Sequence, residues 1–391
     1  MPTDGTFLLA ALLIGFGALG FVYKIYMDRD REPPRITADY IRGMNLVLNR
    51  RTDEALELFV QMAKVDDETL ETHFALGHLF RRRGEVDRAI RVHQNLLARP
   101  NLSDAQRHQA LFSLGEDYLS AGLFDRAEKL FEELTESESH AETALRKLVY
   151  IFEQERDWKK AIDVRRKLEV LGGRRLPEVS HYYCELAEQA RRDGDFAAAK
   201  DYLKQTVRSE TGALRGTIIR AAIAEEERDY AQALALYSSI IESDRRILSE
   251  VLPQAYACYV AMARQADFER YIESLVAKDP SLSRDLAFAA IVADMRDSEA
   301  LRNAVERFVM ENDMLAFLIN RQELEDLEGG QRAEAITRIA QGLRQLVMAS
   351  ARFRCTNCGY SSQKLIWHCP SCKQWETVRP IQQFQLETLV T

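Results

Sequence analysis

The chain has 391 residues, with 53 Lys and Arg against 61 Asp and Glu, a net charge of −8 at pH 7. It is 46% apolar and 29% charged, which excludes a disordered polar chain, and the acidic balance argues against bulk nucleic-acid binding. Only 9 prolines and 18 glycines are present, a composition that favours long helices over many-turned sheets.

The first element is apolar. Gly5 to Tyr23 is a run of nineteen residues without a charge, long enough as a helix to cross a hydrocarbon core of about 30 Å. Lys24, Arg29, Arg31 and Arg35 follow it, whereas Asp4 and no cation precede it. The positive-inside rule then sets the rest of the chain in the cytoplasm. No basic leader and no small-residue cleavage site mark a secretory signal, so the span reads as an uncleaved anchor, with Tyr23 and Tyr26 at headgroup level. Gly15, Gly17 and Gly20 spell a dinucleotide-type glycine pattern. That pattern needs a strand before it and a soluble βαβ unit around it, and neither fits an apolar span. Ala11 and Gly15 offer instead a small-residue face for another transmembrane helix.

Beyond the anchor the chain repeats. A small residue is followed twelve positions later by alanine in Gly43/Ala55, Gly77/Ala89, Gly115/Ala127, Ala187/Ala199 and Ala221/Ala233, with Val149/Ala161 in the same phase. Three residues before the alanines stand Thr52, Val86, Phe124, Trp158, Phe196 and Tyr230; a turn position ahead of them holds Gly84, Gly122, Arg156, Gly194 and Arg228. The alanines step by 34, 38, 34, 38 and 34 residues, and 34 is the period of the tetratricopeptide (TPR) helical hairpin. Small residues let paired helices cross closely, the turn glycine supplies a positive φ, and neighbouring hairpins bury what one alone cannot. The extra four residues fall near Pro100, Gly172, Gly173 and Asp244. Tyr259/Tyr271, with Phe268, extends the phase by 38 residues. Two or three degenerate helix pairs then run to about Ser350, with a turn at Gly329 and Gly330.

In the second repeat the helix that lines the concave face carries Glu71, Phe74, His78, Arg81 and Arg82. These residues suit either a partner peptide, its carboxylates meeting arginine, or an ordinary solvated face.

The tail holds Cys355, Cys358, Cys369 and Cys372 in the spacing C-x2-C-x10-C-x2-C. Two such tight turns complete a tetrahedral all-sulfur shell for one metal ion, iron or zinc. Gly359 and Tyr360 follow the first pair as in a rubredoxin-type knuckle, and His368 is left for packing beside a filled shell. Phe353, Ile366, Trp367 and Trp375 form either the small core of this domain or the patch that docks it on the helices. Cys184 and Cys258, in apolar helical stretches, read as buried small hydrophobes. No metalloprotease, nucleophile-elbow or phosphate-loop motif appears, so the reading is not an enzyme.

The combination resembles the lipopolysaccharide assembly protein B family over the whole length. The telling stretches are LGHLFRRRGEVDRAIRVHQ (76–94), AGLFDRAE (121–128), HYYCELA (181–187) and WHCPSC (367–372). The resemblance implies a single-pass bacterial inner-membrane protein facing the cytoplasm, with Cys355, Cys358, Cys369 and Cys372 as the metal ligands. It also implies partners: the membrane AAA protease, the deacetylase that commits material to lipid A, and other lipopolysaccharide-synthesis or sensor membrane proteins. The segment ahead of the span departs from the family's sequence.

The expected fold is an all-α TPR superhelical solenoid with one N-terminal transmembrane helix and a small C-terminal rubredoxin-like four-cysteine knuckle domain. The anchor is placed at 1–27, a juxtamembrane linker at 28–35, the array at 36–349 with clear repeats to about 275, and the metal domain at 350–391, clamping the C-terminal end of the array. The expected function is a regulatory adaptor that promotes degradation of the deacetylase. The rivals are a general assembly scaffold or co-chaperone and a rubredoxin-type electron-transfer protein.

Overall fold

A computed structural model describes residues 38–49, 51–65, 70–173, 178–206, 213–312, 315, 321–327 and 329–381. The apolar span Gly5–Tyr23 and the linker 28–35 lie outside these. Among the described residues no helix is long and apolar enough to cross a membrane. The chain is a TPR solenoid of α-helices followed by a small metal-ribbon domain, and it divides into two compact units, Met1–Ile151 and Phe152–Thr391.

The first unit contains α1 (Ala38–Leu48), α2 (Thr52–Val65), α3 (Leu70–Arg82), α4 (Val86–Leu97), α5 (Asp104–Ser120), α6 (Phe124–Leu134) and most of α7 (Ala141–Glu155). Consecutive helices pair as antiparallel hairpins. The alanines at the repeat position, Ala55, Ala89 and Ala127, are 0% exposed. The glycine of each first helix meets a ring sixteen residues on. A Cβ at Gly77 would stand 2.4 Å from His93, and one at Gly115 2.8 Å from Phe131. These distances are closer than atoms allow, so glycine is what permits the crossing. Ser103 caps α5 with a full capping box to Gln106, which starts that helix straight after the turn at Pro100.

The second unit continues with α8 (Trp158–Gly172), α9 (Val179–Arg192), α10 (Phe196–Thr206), α11 (Ala213–Glu226), α12 (Tyr230–Ser243), a 3-10 turn at Arg245–Ile247, α13 (Leu248–Ala261), α14 (Gln265–Lys278), α15 (Leu282–Ala293), α16 (Glu299–Glu311), α17 (Arg321–Glu325) and α18 (Gly329–Ala349). Asp157, Asp195 and Asp229 accept from the backbone N–H three residues on and so start the second helix of three successive hairpins. Cys184 and Cys258 are fully buried and act as core side chains.

The turn position of the repeat is a left-handed residue even where glycine is missing. Gly84, Gly122 and Gly194 have φ of 80°, 72° and 79°, and Arg156 and Arg228 have 58° and 64°. The repeat geometry therefore overrides the side-chain preference. It also corrects the phase expected beyond Ala233. Ala263 takes the left-handed turn at φ 55°, and Phe268, 0% exposed, stands five residues later where the other repeats carry alanine. Tyr271 is only partly buried. Tyr256, twelve residues before Phe268, meets it with ring centroids 4.9 Å apart, and Tyr259 meets it at 5.5 Å. Two large rings replace two small residues here, so the small-residue pattern does not mark the repeat.

After Ala349 come β1 (Phe353–Cys355), β2 (Ser361–Ser362) and β3 (Val378–Pro380), an antiparallel sheet in the order β2-β1-β3.

The left-handed positions carry a stability consequence. Arg228 is exposed, so Arg228→Gly relieves backbone strain and raises stability by up to about 1 kcal/mol, whereas Gly122→Ala lowers it by about the same amount. Thermal unfolding of the two variants beside the parent checks both signs.

Candidate metal centre and its docking face

The four cysteines come together. Their sulfur atoms all lie within 4.8 Å of one another, with Cys355–Cys372 and Cys358–Cys369 each at 3.7 Å. A tetrahedral ion with bonds of about 2.3 Å to sulfur requires sulfur–sulfur edges of about 3.8 Å; these two edges match it, and the other four need to close by no more than about 1 Å. The backbone builds each half in the same way. Cys355 N–H donates to Tyr360 O (2.7 Å) and Gly359 N–H to Cys355 O (3.0 Å); Cys369 N–H donates to Gln374 O (2.9 Å) and Lys373 N–H to Cys369 O (2.9 Å). Gly359 (φ 78°) and Lys373 (φ 57°) hold the equivalent left-handed place in the two knuckles.

The surroundings treat the thiols unequally. The Thr377 hydroxyl, 3.3 Å from Cys355 Sγ, holds that thiol below its usual range, at about 6. The Asn357 side chain lowers Cys372. Burial pushes Cys369 up to about 11. A close group of thiolates of which two are buried is stable only with a cation among them. When bound, the metal supplies folding free energy to a domain whose own core is Phe353, Cys355, Cys369 and Val378 with Leu365 and Ile366 against it.

His368 is not part of the shell. Its Nε2 donates to Lys373 O at 3.1 Å, and its ring stacks on Trp375 at 4.4 Å. Trp375 is the seat of the domain. The same indole stacks on His181 at 4.9 Å and 13° and meets Trp158 and Tyr182 edge-on at 6.0 and 5.8 Å. Its Nε1 donates to Glu153 at 3.3 Å. Glu153 also accepts from the Tyr182 hydroxyl at 2.5 Å, and that hydroxyl accepts from Arg165 at 3.1 Å. Arg215, 6% exposed, lies 5.9 Å over Trp367 and 6.0 Å over Trp375 while pairing with Glu185 at 2.7 Å. Both distances are at the outer limit of a cation–π contact, so the ion pair with Glu185 is the closer hold on Arg215. Arg352 closes one edge through an ion pair with Glu250, and Glu376 faces His181 Nε2 at 3.4 Å.

The ribbon was expected to clamp the C-terminal end of the array. It does touch that end, where Gln363 Nε2 donates to Met348 O at 3.4 Å. Its main seat, however, is the face made by Glu153, Trp158, His181, Tyr182 and Arg215, far earlier in the chain. Of the two roles open to the aromatics, Phe353 enters the core and Trp375 docks. Glu153, His181, Arg215 and Glu250 were not singled out from sequence. The stretch HYYCELA (181–187) was the one available signal, and two of its residues turn out to lie in this seat.

The candidate partner face of the second repeat is partly spent on folding. Arg81 pairs with Asp117 at 2.6 Å and Glu116 at 2.8 Å and donates to Ser113 O at 3.2 Å. Asp117 is fully buried and also bonded to buried His93, and Glu116 binds Lys147 at 2.7 Å. His78 lies 3.3 Å from Ser113 Oγ, and Phe74 packs near His93 with centroids 6.1 Å apart. Glu71 and Arg82 are exposed.

Burial lowers His181 to about 3, with Arg215 and His368 adding to the effect. A histidine whose folded value lies below its unfolded value of about 6.5 contributes stability that is present above that pH and lost as pH falls toward the folded value. Stability therefore drops by about 2 kcal/mol for this residue between pH 7 and pH 5. His181→Phe, which keeps a ring against Trp375, flattens that part of the profile when denaturation midpoints are compared across the range with the metal retained. Trp375→Ala removes the seat and costs about 3 kcal/mol, and Trp375→Phe, which loses the bond to Glu153, costs about 1 kcal/mol. Cys355→Ser with Cys358→Ser, or metal removal by a chelator, frees Trp375 and shifts tryptophan emission to the red.

A family profile described as rubredoxin metal binding domain matches residues 353–380. Tetratricopeptide repeat profiles match 72–105, 112–172 and 184–246. The chain is similar to lipopolysaccharide assembly protein B of Escherichia coli (strain K12), 33% identical over 378 residues that cover 96% of this chain and 97% of the relative. It is similar to the protein of the same name in Haemophilus influenzae, 28% identical over 389 residues, again 96% and 97% of the two chains. Among solved structures, MamA covers 42% of this chain and 92% of its own at 18% identity and a TM-score of 0.33, a likeness too low to argue from.

Proposed function

The chain belongs to the lipopolysaccharide assembly protein B family, and from that premise we propose that it is a membrane-tethered adaptor that regulates lipopolysaccharide biosynthesis. It promotes degradation of the deacetylase that commits material to lipid A by the membrane AAA protease, and it performs no catalysis of its own. Residues 1–27 anchor it in the inner membrane, 28–35 link, 36–349 form the TPR array in the cytoplasm and 350–391 the metal domain. The observation that carries the reading is the seating of the metal ribbon through Trp375, Glu153 and His181: four thiolates are used to hold a binding scaffold in one shape. The names of the relatives support the pathway. The anchor is supported by the uncharged Gly5–Tyr23 span and the cations after it.

Tethering raises the concentration of the array near other membrane proteins without any new contact. Glu71 and Arg82, exposed on α3, with Phe74, His78 and Arg81 behind them, are the first face to test for the deacetylase or another lipopolysaccharide-synthesis protein.

The test is the half-life of the deacetylase in cells depleted of this protein with the protease active. A lengthened half-life, restored by the parent chain and not by Trp375→Ala, is the expected result. An unchanged half-life would sink the adaptor reading and leave a general scaffold. A one-electron couple of the isolated metal site that a partner can reach would favour electron transfer instead.

A further inference from the structure

The first helix of the array keeps large apolar side chains in solvent. On α1, Ile41 is 52% exposed, Met44 39% and Leu48 75%. Their spacing of three and then four residues sets them in one stripe. The opposite face is engaged: Gly43 closes on Phe59, and Tyr40, Leu46 and Val47 pack on the cluster of Ala55, Leu56, Phe59 and Leu76. Exposed Asn45 and Asn49 border the stripe, and Arg42 is exposed beside Ile41.

Chain length limits what can cover it. Fourteen residues, 24–37, separate the apolar span ending at Tyr23 from Ala38, and at full extension they reach about 50 Å. If the span crosses the membrane, the stripe is confined to the neighbourhood of the cytoplasmic leaflet. The connecting residues hold Lys24, Arg29, Arg31 and Arg35 against Asp28, Asp30 and Glu32, a net of one positive charge, the sign that anionic headgroups attract. Three side chains on one eleven-residue helix fall well short of the roughly 800 Å² per partner of a stable dimer. They suffice for an interfacial contact whose partner is already held close by a tether.

We propose that Ile41, Met44 and Leu48 form a docking stripe that seats the start of the array on the cytoplasmic leaflet of an anionic phospholipid bilayer. The contact orients the array as well as tethering it. It rests on the anchor reading given under Proposed function.

The test uses the full chain in nanodiscs of phosphatidylethanolamine and phosphatidylglycerol. Benzoylphenylalanine replaces Leu48, Leu12 within the span, or exposed Lys129 as a control, in separate preparations. After illumination, mass spectrometry identifies what each position has captured. Gain of a lipid adduct at positions 48 and 12 and none at 129 is the expected result. A lipid adduct at 12 with none at 48 overturns the stripe and leaves the anchor standing; none at either overturns both. Capture at 48 of a second chain or of residues 24–37 in place of lipid assigns the stripe to that occupant and overturns the proposal. Equal lipid capture at 129 removes the specificity the proposal requires.

Discussion

Four cysteine sulfurs within 4.8 Å of one another are the constraint on which the C-terminal part of the molecule depends. Thiolates at that separation repel unless a cation lies among them, and thiols would give up the bonds that the knuckle backbone is shaped to support. The ribbon has almost no other means of folding. Its sheet is three short strands, and its core is four buried residues, two of them ligands. Metal binding is therefore coupled to the placement of Trp375, and the placement of Trp375 to the packing of Glu153, Trp158, His181 and Tyr182. A scaffold assembled in this way answers to metal supply through its packing.

The helices solve a different problem. Each hairpin must let two backbones pass closely and still fill the space between them. Glycine on one helix and a ring sixteen residues later on the other do both, as at Gly77 and His93. Polar groups in the first unit then add register. Arg81 reaches Asp117 and Glu116 one repeat on, His93 meets the same Asp117, and Lys147 meets Glu116 from the next repeat. Desolvation offsets much of the attraction between buried ionic groups of this kind, whereas removing one partner leaves an unpaired buried charge. The same network explains why a face that looks ready to bind a peptide is in part already occupied by the fold.

Legibility in the sequence followed the range of the interactions. The hairpins could be read because their alanines, turns and rings recur at a fixed period, and the four-cysteine cluster because both pairs lie within eighteen residues of chain. Arg156 and Arg228 kept the turn without the glycine that usually marks it, and the period still located them. Where Tyr256 and Phe268 replaced small residues, the pattern was followed three residues out of phase. No periodic signal marks a contact between Trp375 and Glu153, which lie 222 residues apart.

By itself the sequence determined the helical repeat, the four-sulfur site and the family, since each is written in local spacing or in residue types that few other arrangements tolerate. Only the tertiary structure decided where the ribbon sits, which of its aromatics leave its core, that Arg81 is committed to the next repeat, and that Ile41, Met44 and Leu48 face solvent. These depend on which distant surfaces meet, and burial of an aromatic or a charge is set by the partner that covers it rather than by its neighbours along the chain.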